Sequence, residues 1–440
     1  MIVLLLFSVL IFLLFINIPI AISIAVATVV AMVAKTGPQY LVNTALAMYN
    51  GAKSFPLIAI PLFILAGAIM NSSGISRRLI AFASACVGFI KGGLSMVTIA
   101  TSMFFAEISA KNIDVAMFFA EISGSAVADA SALGSILIPA MKNKGYSPAY
   151  AASVVSSASS LAIIIPPSIP MILYAVIAGC SVEQLFVAGF VPGFLGGFLM
   201  MAVSYIYAKR KNLPIEESFN IKNIKRTAKE AGLTFILPII ILGGIFGGFV
   251  TATEAAGLAV FASLGIAYLY KEFNLKQFFD STVEGGSQTA TVMLLVASSM
   301  LLGEFLTMEQ IPQKIASSLT TLTQNKYLIL AILNVFLFII GFFLHSAAAI
   351  ILVVPVVMPL INSLGIDPVH FGIIVTLNLA IGQQTPPVAS VLAVACSIAK
   401  VDMWTATKVN IIFISVLIFI LMLCTYVPIV PMSLVEYFYR

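Results

Sequence analysis

Long uninterrupted apolar runs, such as Met1–Val33, Phe235–Val250 and Leu328–Leu344, leave this chain few possible architectures. A run near 20 residues is the length of a helix that crosses hydrocarbon. Of the 440 residues, 61% are hydrophobic and 9% are charged, against roughly 25% charged in a soluble domain. A water-facing surface cannot be built from this composition, so lipid must be the solvent. In lipid every backbone N–H and C=O needs an internal partner, which leaves helices and closed barrels. Barrel strands give short alternating segments, whereas these runs are continuous. The expectation is an all-α polytopic membrane protein with about ten to twelve spans or half-spans in one membrane domain.

Charge is scarce and unevenly placed. The net charge of +5 gathers in the middle, where Lys209, Arg210, Lys211, Lys222, Lys225, Arg226 and Lys229 stand against Glu216, Glu217 and Glu230. A basic segment between spans marks a loop kept on the cytoplasmic side, and implies no nucleic acid. Contact with anionic membrane lipid is an expected side effect. Arg77 and Arg78 read as interfacial anchors, Lys91 as a snorkelling side chain and Trp404 as an interface marker. Cys86, Cys180, Cys396 and Cys424 lie in apolar segments without metal or redox spacing, and read as small buried hydrophobes. The N-terminus lacks a basic region and a small-residue cleavage site, so it reads as a retained first helix running to about Ala34.

Further spans are expected at about 55–70, 79–98, 148–164, 169–179 and 184–208, then 235–250, 254–270, 289–306, 327–344, 368–382, 388–399 and 407–427, with amphipathic pieces at 40–48 and 275–285. The two halves align. Residues 139–167 match 359–387 without a gap: Pro139, Gly145, Pro148, Pro166 and Pro167 face Pro359, Gly365, Pro368, Pro386 and Pro387, each 220 positions on. Prolines and glycines set backbone geometry, so their shared register reads as an internal duplication. Earlier, Gly67, Ile75 and Arg78 face Gly303, Ile311 and Lys314, 236 positions on. The change of spacing has a visible source, because MFFAEIS occurs at 103–109 and again at 117–123. A 14-residue insertion turns a helix by about 1400°, which roughly restores its facing. Repeats that both contain interrupted helices point to a secondary transporter.

Hydrocarbon penalises polar atoms, so polar clusters within the apolar runs are functional candidates. The first runs Gly124-Ser125-Ala126-Val127-Ala128-Asp129, then Ser131 and Ser135, followed by Ser157, Ser159, Ser160 and Pro166-Pro167-Ser168. The second is His345-Ser346, then Asn378, then Gln383-Gln384-Thr385-Pro386-Pro387. Each sets a hairpin tip against a helix broken at Pro-Pro. Two prolines interrupt the hydrogen-bond ladder and free carbonyl oxygens, for which a sodium ion is a suitable partner. Asp129 adds a charge or orders the hairpin. Helix starts at the tips present N–H groups to an anion. The expected site lies between the two tips and holds a carboxylate beside one or two sodium ions. Glu107 and Glu121, the duplicated acids, remain ambiguous, and His345 reads as a hydrogen-bonded structural group rather than a proton carrier.

Phe118-Phe119-Ala120-Glu121-Ile122-Ser123-Gly124-Ser125-Ala126-Val127-Ala128-Asp129, Ile165-Pro166-Pro167-Ser168-Ile169-Pro170-Met171, Thr253-Glu254-Ala255-Ala256 and Thr385-Pro386-Pro387-Val388 occur in that order. Here the chain resembles the large membrane (DctM-like) subunit of tripartite ATP-independent periplasmic (TRAP) transporters, over essentially its whole length. The resemblance implies an elevator-type fold with two inverted repeats, each with a re-entrant helical hairpin and a broken helix. It divides the chain into first-repeat scaffold and arm helices (1–100), the first-repeat transport region (101–180) and a connecting helix with the basic loop (181–231). Second-repeat scaffold and arm helices (232–325), the second-repeat transport region (326–400) and a C-terminal helix (401–440) complete it. It further implies sodium-coupled import of an organic acid, such as sialic acid or a C4-dicarboxylate, across the bacterial inner membrane. A periplasmic substrate-binding protein would deliver the substrate, and a small membrane subunit would brace the scaffold. Carried over by motif, Ser125, Ser168, His345, Ser346 and Gln384 would bind substrate, and Gly124, Ser125, Asp129, Pro166, Ser346, Asn378, Thr385 and Pro386 would surround sodium. The doubled MFFAEIS departs from the family pattern just before the first tip. The competing readings are a stand-alone elevator-type ion/carboxylate exchanger and an intramembrane hydrolase pairing Ser125 with His345.

Overall fold

The computed structural model describes residues 2–16, 18–104, 126–213, 215, 219–272, 274–314, 317, 323 and 325–439. Among them six helices are long and apolar enough to cross a bilayer, two bent helix pairs raise this to eight, and seven shorter apolar helices accompany them. The first half contains α1 (Ile2–Phe15), α2 (Ile20–Thr36), α3 (Leu41–Ala52), α4 (Ala59–Ser72), α5 (Ile75–Val87), α6 (Gly93–Phe104), α7 (Ala126–Asn143), α8 (Pro148–Ala162), α9 (Ile169–Ala178) and α10 (Val182–Arg210). A charged helix, α11 (Ile221–Glu230), leads into the second half. That half contains α12 (Gly232–Phe246), α13 (Ala252–Leu269), α14 (Leu275–Met308), α15 (Lys326–Phe343), α16 (Ser346–Ser363), α17 (Pro368–Gly382), α18 (Ser390–Ala399), α19 (Met403–Tyr426) and α20 (Ile429–Tyr439).

Four expectations are corrected. The span expected at 79–98 is two short helices, α5 and α6, parted by a turn at residues 88–92 where Gly92 takes φ of +77°. The apolar N-terminal run is two helices, because Pro19 ends the helical register of the residues before it and stands as N-cap of α2. The amphipathic piece at 275–285 and the span at 289–306 are one 34-residue helix, α14. Its first-half counterpart is instead bent by 63° between Ala52 and Phe55. The difference has a local cause: Pro56 sits at that bend, whereas the position 236 residues on is Val292, which keeps its N–H. The middle basic segment is not a plain loop, since ten of its residues form α11.

The duplication is visible in the backbone. α7 and α16 begin and end 220 residues apart, as do α8 and α17. Gly145 and Gly365 take φ of +86° and +65° in the turns between them, a conformation that costs glycine little. Ser147 and Asp367 then cap α8 and α17 with their side chains. Pro166-Pro167 and Pro386-Pro387 are both cis. Packing is exchanged between the halves: α7 lies on α18 while α16 lies on α9, and α8 packs on α19 while α17 packs on α10. A two-fold relation between the repeats produces this pattern. The core therefore belongs to neither half.

At one crossing two backbones touch. A Cβ on Gly382 would lie 2.5 Å from the Cα and carbonyl carbon of Gly341, so α15 and α17 meet with no side chain between them. Gly382→Ala is expected to destabilise the protein by ~1–3 kcal/mol through overpacking against backbone. Gly265→Ala, at a helical position with no atom within 4 Å of the new Cβ, is expected to add ~0.5–1 kcal/mol. Thermal unfolding of the two purified variants checks this, and equal effects would refute the close approach.

Candidate functional site

Each broken helix leaves carbonyls that its own ladder does not serve, since a proline at i+4 has no N–H. In the second repeat Pro387 deprives the Gln383 carbonyl, which instead accepts from the Val391 N–H across the break at 3.0 Å. The Gly382 carbonyl, deprived by Pro386, accepts from Thr385 N–H at 3.0 Å. In the first repeat Pro167 deprives the Ile163 carbonyl. Met171 N–H, the counterpart of Val391 N–H, is donated to the Ser168 hydroxyl oxygen at 3.4 Å. The Ile163 carbonyl thus lacks the donor its counterpart has. Next to it, Gly189 of α10 admits the Ile164 carbonyl against its backbone, where a Cβ would collide.

Around the second break, amides are layered between helices. Asn378 Nδ2 on α17 donates to Asn334 Oδ1 on α15 at 2.7 Å and to the Ile374 carbonyl at 2.8 Å. Asn334 Nδ2 donates to Thr425 Oγ1 on α19 at 3.1 Å. Gln383 Nε2 donates to Ser346 Oγ at the start of α16 and to the Leu379 carbonyl at 3.3 Å. Two oxygens of this layer, Asn378 Oδ1 and Gln383 Oε1, are buried with no hydrogen-bond partner, as is His345 Nδ1. A buried acceptor without a donor is costly, and such oxygens suit a cation.

A second polar node joins the repeats. Gln384 Oε1 lies 2.7 Å from Ser157 Oγ of α8 and accepts from Asn410 Nδ2 of α19 at 3.2 Å. Ser157 Oγ also lies 2.8 Å from Asn410 Oδ1. Gln384 Nε2 remains a buried donor with no partner. On the first-repeat side, the hydroxyls of Ser156, Ser159 and Ser160 on α8 and of Thr101 and Ser102 on α6 are buried without partners among the described residues, and α6 packs on α8. Asp129 is buried in the first turn of α7, at 7% exposure.

The expected residues therefore divide. Ser346 and Gln383 meet at the second break beside Gln384, Asn378 lies earlier on α17 against Asn334, and His345 holds the N-cap position of α16. Ser168 caps α9, and the Thr385 hydroxyl donates back to the Ile381 carbonyl at 2.8 Å, so both serve their own helices. Pro166 and Pro386 form the breaks. Gly124, Ser125, Glu107, Glu121 and the doubled MFFAEIS from residue 105 onward lie outside the described residues. Sequence reasoning overlooked Asn334, Asn410 and Thr425. The available signal was an amide alone within an apolar span, which hydrocarbon tolerates only when paired. Arg78, expected to be a simple anchor, is in fact bound to Glu272 by two hydrogen bonds of 2.8 Å. Lys91 donates to Asn212 Oδ1 at 3.1 Å in an exposed turn. Cys396 and Cys424 are buried, but Cys86 and Cys180 only partly so.

Residues 7–430 match the family described as tripartite ATP-independent periplasmic transporter, DctM component. The chain is 39% identical over 419 residues to the isethionate TRAP transporter permease protein DctMQ of Oleidesulfovibrio alaskensis, covering 95% of this chain and 64% of that longer protein. It is 37% identical to the C4-dicarboxylate TRAP transporter large permease protein DctM of Pseudomonas aeruginosa, over 90% of each chain. To the sialic acid TRAP transporter large permease protein SiaM of Vibrio cholerae it is 34% identical, over 82% of each. The fold is similar to that in the crystal structure of the Alcanivorax borkumensis YdaH transporter, with a TM-score of 0.63 at 15% identity, covering 90% of this chain and 89% of that one. Relatives that are permeases leave no place for a hydrolase pairing of Ser125 with His345. The chain belongs to the DctM family of TRAP transporter large permease subunits, multi-pass inner-membrane transport proteins rather than enzymes.

Proposed function

We propose that this chain imports an organic acid with sodium as the driving ion, by an elevator movement in which the paired hairpins and broken helices carry the site past a scaffold. The observation that carries the reading is the pair of matching Pro-Pro breaks, each beside buried oxygens without hydrogen-bond partners. Such oxygens suit a hard cation, which takes carbonyl and hydroxyl ligands. At the second break the ligands would be Asn378 Oδ1 and Gln383 Oε1, with Ser346 and the backbone at Thr385 and Pro386 beside them. At the first they would be the α8 hydroxyls and the Ile163 carbonyl, with Gly124, Ser125, Asp129 and Pro166 around them. Asp129 would supply the charge that favours an ion over water there.

An anion needs donors. The unpartnered Gln384 Nε2 suits a carboxylate oxygen, and the starts of α9 at Ser168 and of α16 at His345 and Ser346 add N–H groups of the right polarity. Relatives named for C4-dicarboxylates, sialic acid and isethionate support the organic-acid class. A periplasmic binding protein would deliver the acid. A separate small membrane subunit would supply what the longer DctMQ carries beyond the part this chain covers.

Three measurements test the reading. In proteoliposomes with the small subunit and the binding protein, uptake is expected only under an inward sodium gradient, and equal uptake with potassium in its place overturns the coupling. Asp129→Asn is expected to raise the sodium concentration for half-maximal uptake about tenfold, or ~1.4 kcal/mol, with its melting temperature kept. An unchanged sodium response would remove Asp129 from the site. Gln384→Leu is expected to raise the KM for the acid at least about tenfold, as one lost charge-assisted hydrogen bond predicts, while sodium still stabilises the protein against heat. Loss of the sodium effect with the KM intact would reassign Gln384 to the ion.

A further inference from the structure

The most strongly charged surface of the molecule has no part in the transport site. α10 ends in Lys209, Arg210 and Lys211, all exposed. α11 follows, turned by 64° from α12, the apolar segment after it. A helix set across the direction of a membrane-entering segment lies along the bilayer surface rather than through it. On α11, Lys222, Lys225, Arg226 and Lys229 recur at the spacing that defines one helix face, and all four are exposed. The opposite side, where Thr227 is buried, packs against α5. The face is therefore a rigid row of cations, held in place by the protein behind it. Arg226 also pairs with Glu230 at 2.9 Å.

Apolar side chains flank this row. Ile215, Phe219 and Ile221 are 54%, 62% and 57% exposed. A soluble polyanion would gain nothing from them. A lipid surface uses both features, phosphates against the cations and acyl chains against the apolar groups.

The far end of α11 is tied to the junction of the two repeats. Tyr270, just past α13, donates its hydroxyl to the Glu230 carbonyl at 2.6 Å. The Arg78 guanidinium lies over the Tyr270 ring, 4.0 Å from its centroid, and holds Glu272 in a bidentate pair. That carboxylate packs on the α4–α5 turn so closely that a Cβ on Gly74 would sit 2.6 Å from its oxygen. Whatever binds α11 thus leans on the place where scaffold helices of both halves meet.

We propose that the basic face of α11, with Lys209, Arg210 and Lys211, is a binding surface for anionic phospholipid headgroups, and that its occupancy stiffens this junction. The inference stands apart from the sodium and carboxylate assignments. The test is titration of phosphatidylglycerol or phosphatidylcholine into the purified full chain, with bound lipid counted by native mass spectrometry and melting followed in parallel. The wild type is expected to bind phosphatidylglycerol in preference and to melt at a higher temperature with it. Each cation near an anionic surface contributes roughly fivefold, so K222Q/K225Q/K229Q is expected to bind about a hundredfold more weakly and to lose the melting shift. These exposed substitutions keep good helix formers, and the melting temperature without lipid verifies the fold. Lys276→Gln, an exposed cation on α14, is expected to change neither readout. Equal binding of the two lipids by the wild type, or wild-type phosphatidylglycerol affinity in the triple variant, would overturn the proposal. Either result would leave the row to an acidic protein surface.

Discussion

A helix inside a bilayer must serve its own backbone, and twice this chain prevents it from doing so. Adjacent prolines at Pro166-Pro167 and Pro386-Pro387 remove two donors in a row just past the buried helices α8 and α17. Water cannot replace those donors in hydrocarbon. Every other feature of the centre responds to that deficit. Val391 reaches back to serve the Gln383 carbonyl. Ser168 caps the helix that restarts after the first break. Asn410 spans from α19 to the Gln384 carbonyl at 3.4 Å. The exchanged packing of α7 on α18 and α16 on α9 encloses the first break in protein, whereas the second stays partly open, with Pro387 and Val388 exposed.

The two repeats share a backbone but not a chemistry. Where the second break presents Gln383, Gln384 and Thr385, the first presents Ile163, Ile164 and Ile165. Where α8 carries Ser156, Ser157, Ser159 and Ser160, α17 carries Thr376, Leu377, Leu379 and Ala380. The polar groups are complementary rather than duplicated. One half offers hydroxyls from the helix before its break, and the other offers amides from the break itself. The Ser157, Gln384 and Asn410 node is where these sets meet. A symmetric site would bind two like ligands. This distribution instead offers two unlike sets of oxygens, hydroxyls at one break and amide oxygens at the other, with one amide donor at Gln384 between them.

Much of this was legible in sequence because it rests on residues with one structural meaning. Proline and glycine at a shared spacing located the repeat, and the structure keeps that register to the residue in α7, α8, α16 and α17. Other features depend on contacts that local pattern cannot encode. Asn334 and Asn410 look like isolated blemishes in apolar spans until folding brings them to Asn378 and to Gln384. Arg78 and Glu272 are far apart in the chain and meet only when scaffold helices of opposite halves pack. The errors in element boundaries have simpler causes. Pro19 parts α1 from α2 within an apolar run whose composition is uniform on both sides of it. The piece at 275–285 and the span at 289–306 join into one helix, because a helix packed on Ile64 and Leu65 at Gly285 tolerates glycine there.

The centre and the periphery of the molecule differ in what holds them. Around the breaks the contacts are neutral: amides, hydroxyls and a glycine crossing at Gly341 and Gly382. At the periphery they are ionic, with Lys35 against Glu309 and Arg78 against Glu272. The peripheral pairs each link one half to the other, and they do so at partly exposed positions where desolvation costs little. Ion pairs there fix the frame through geometry, since a bidentate guanidinium tolerates little displacement.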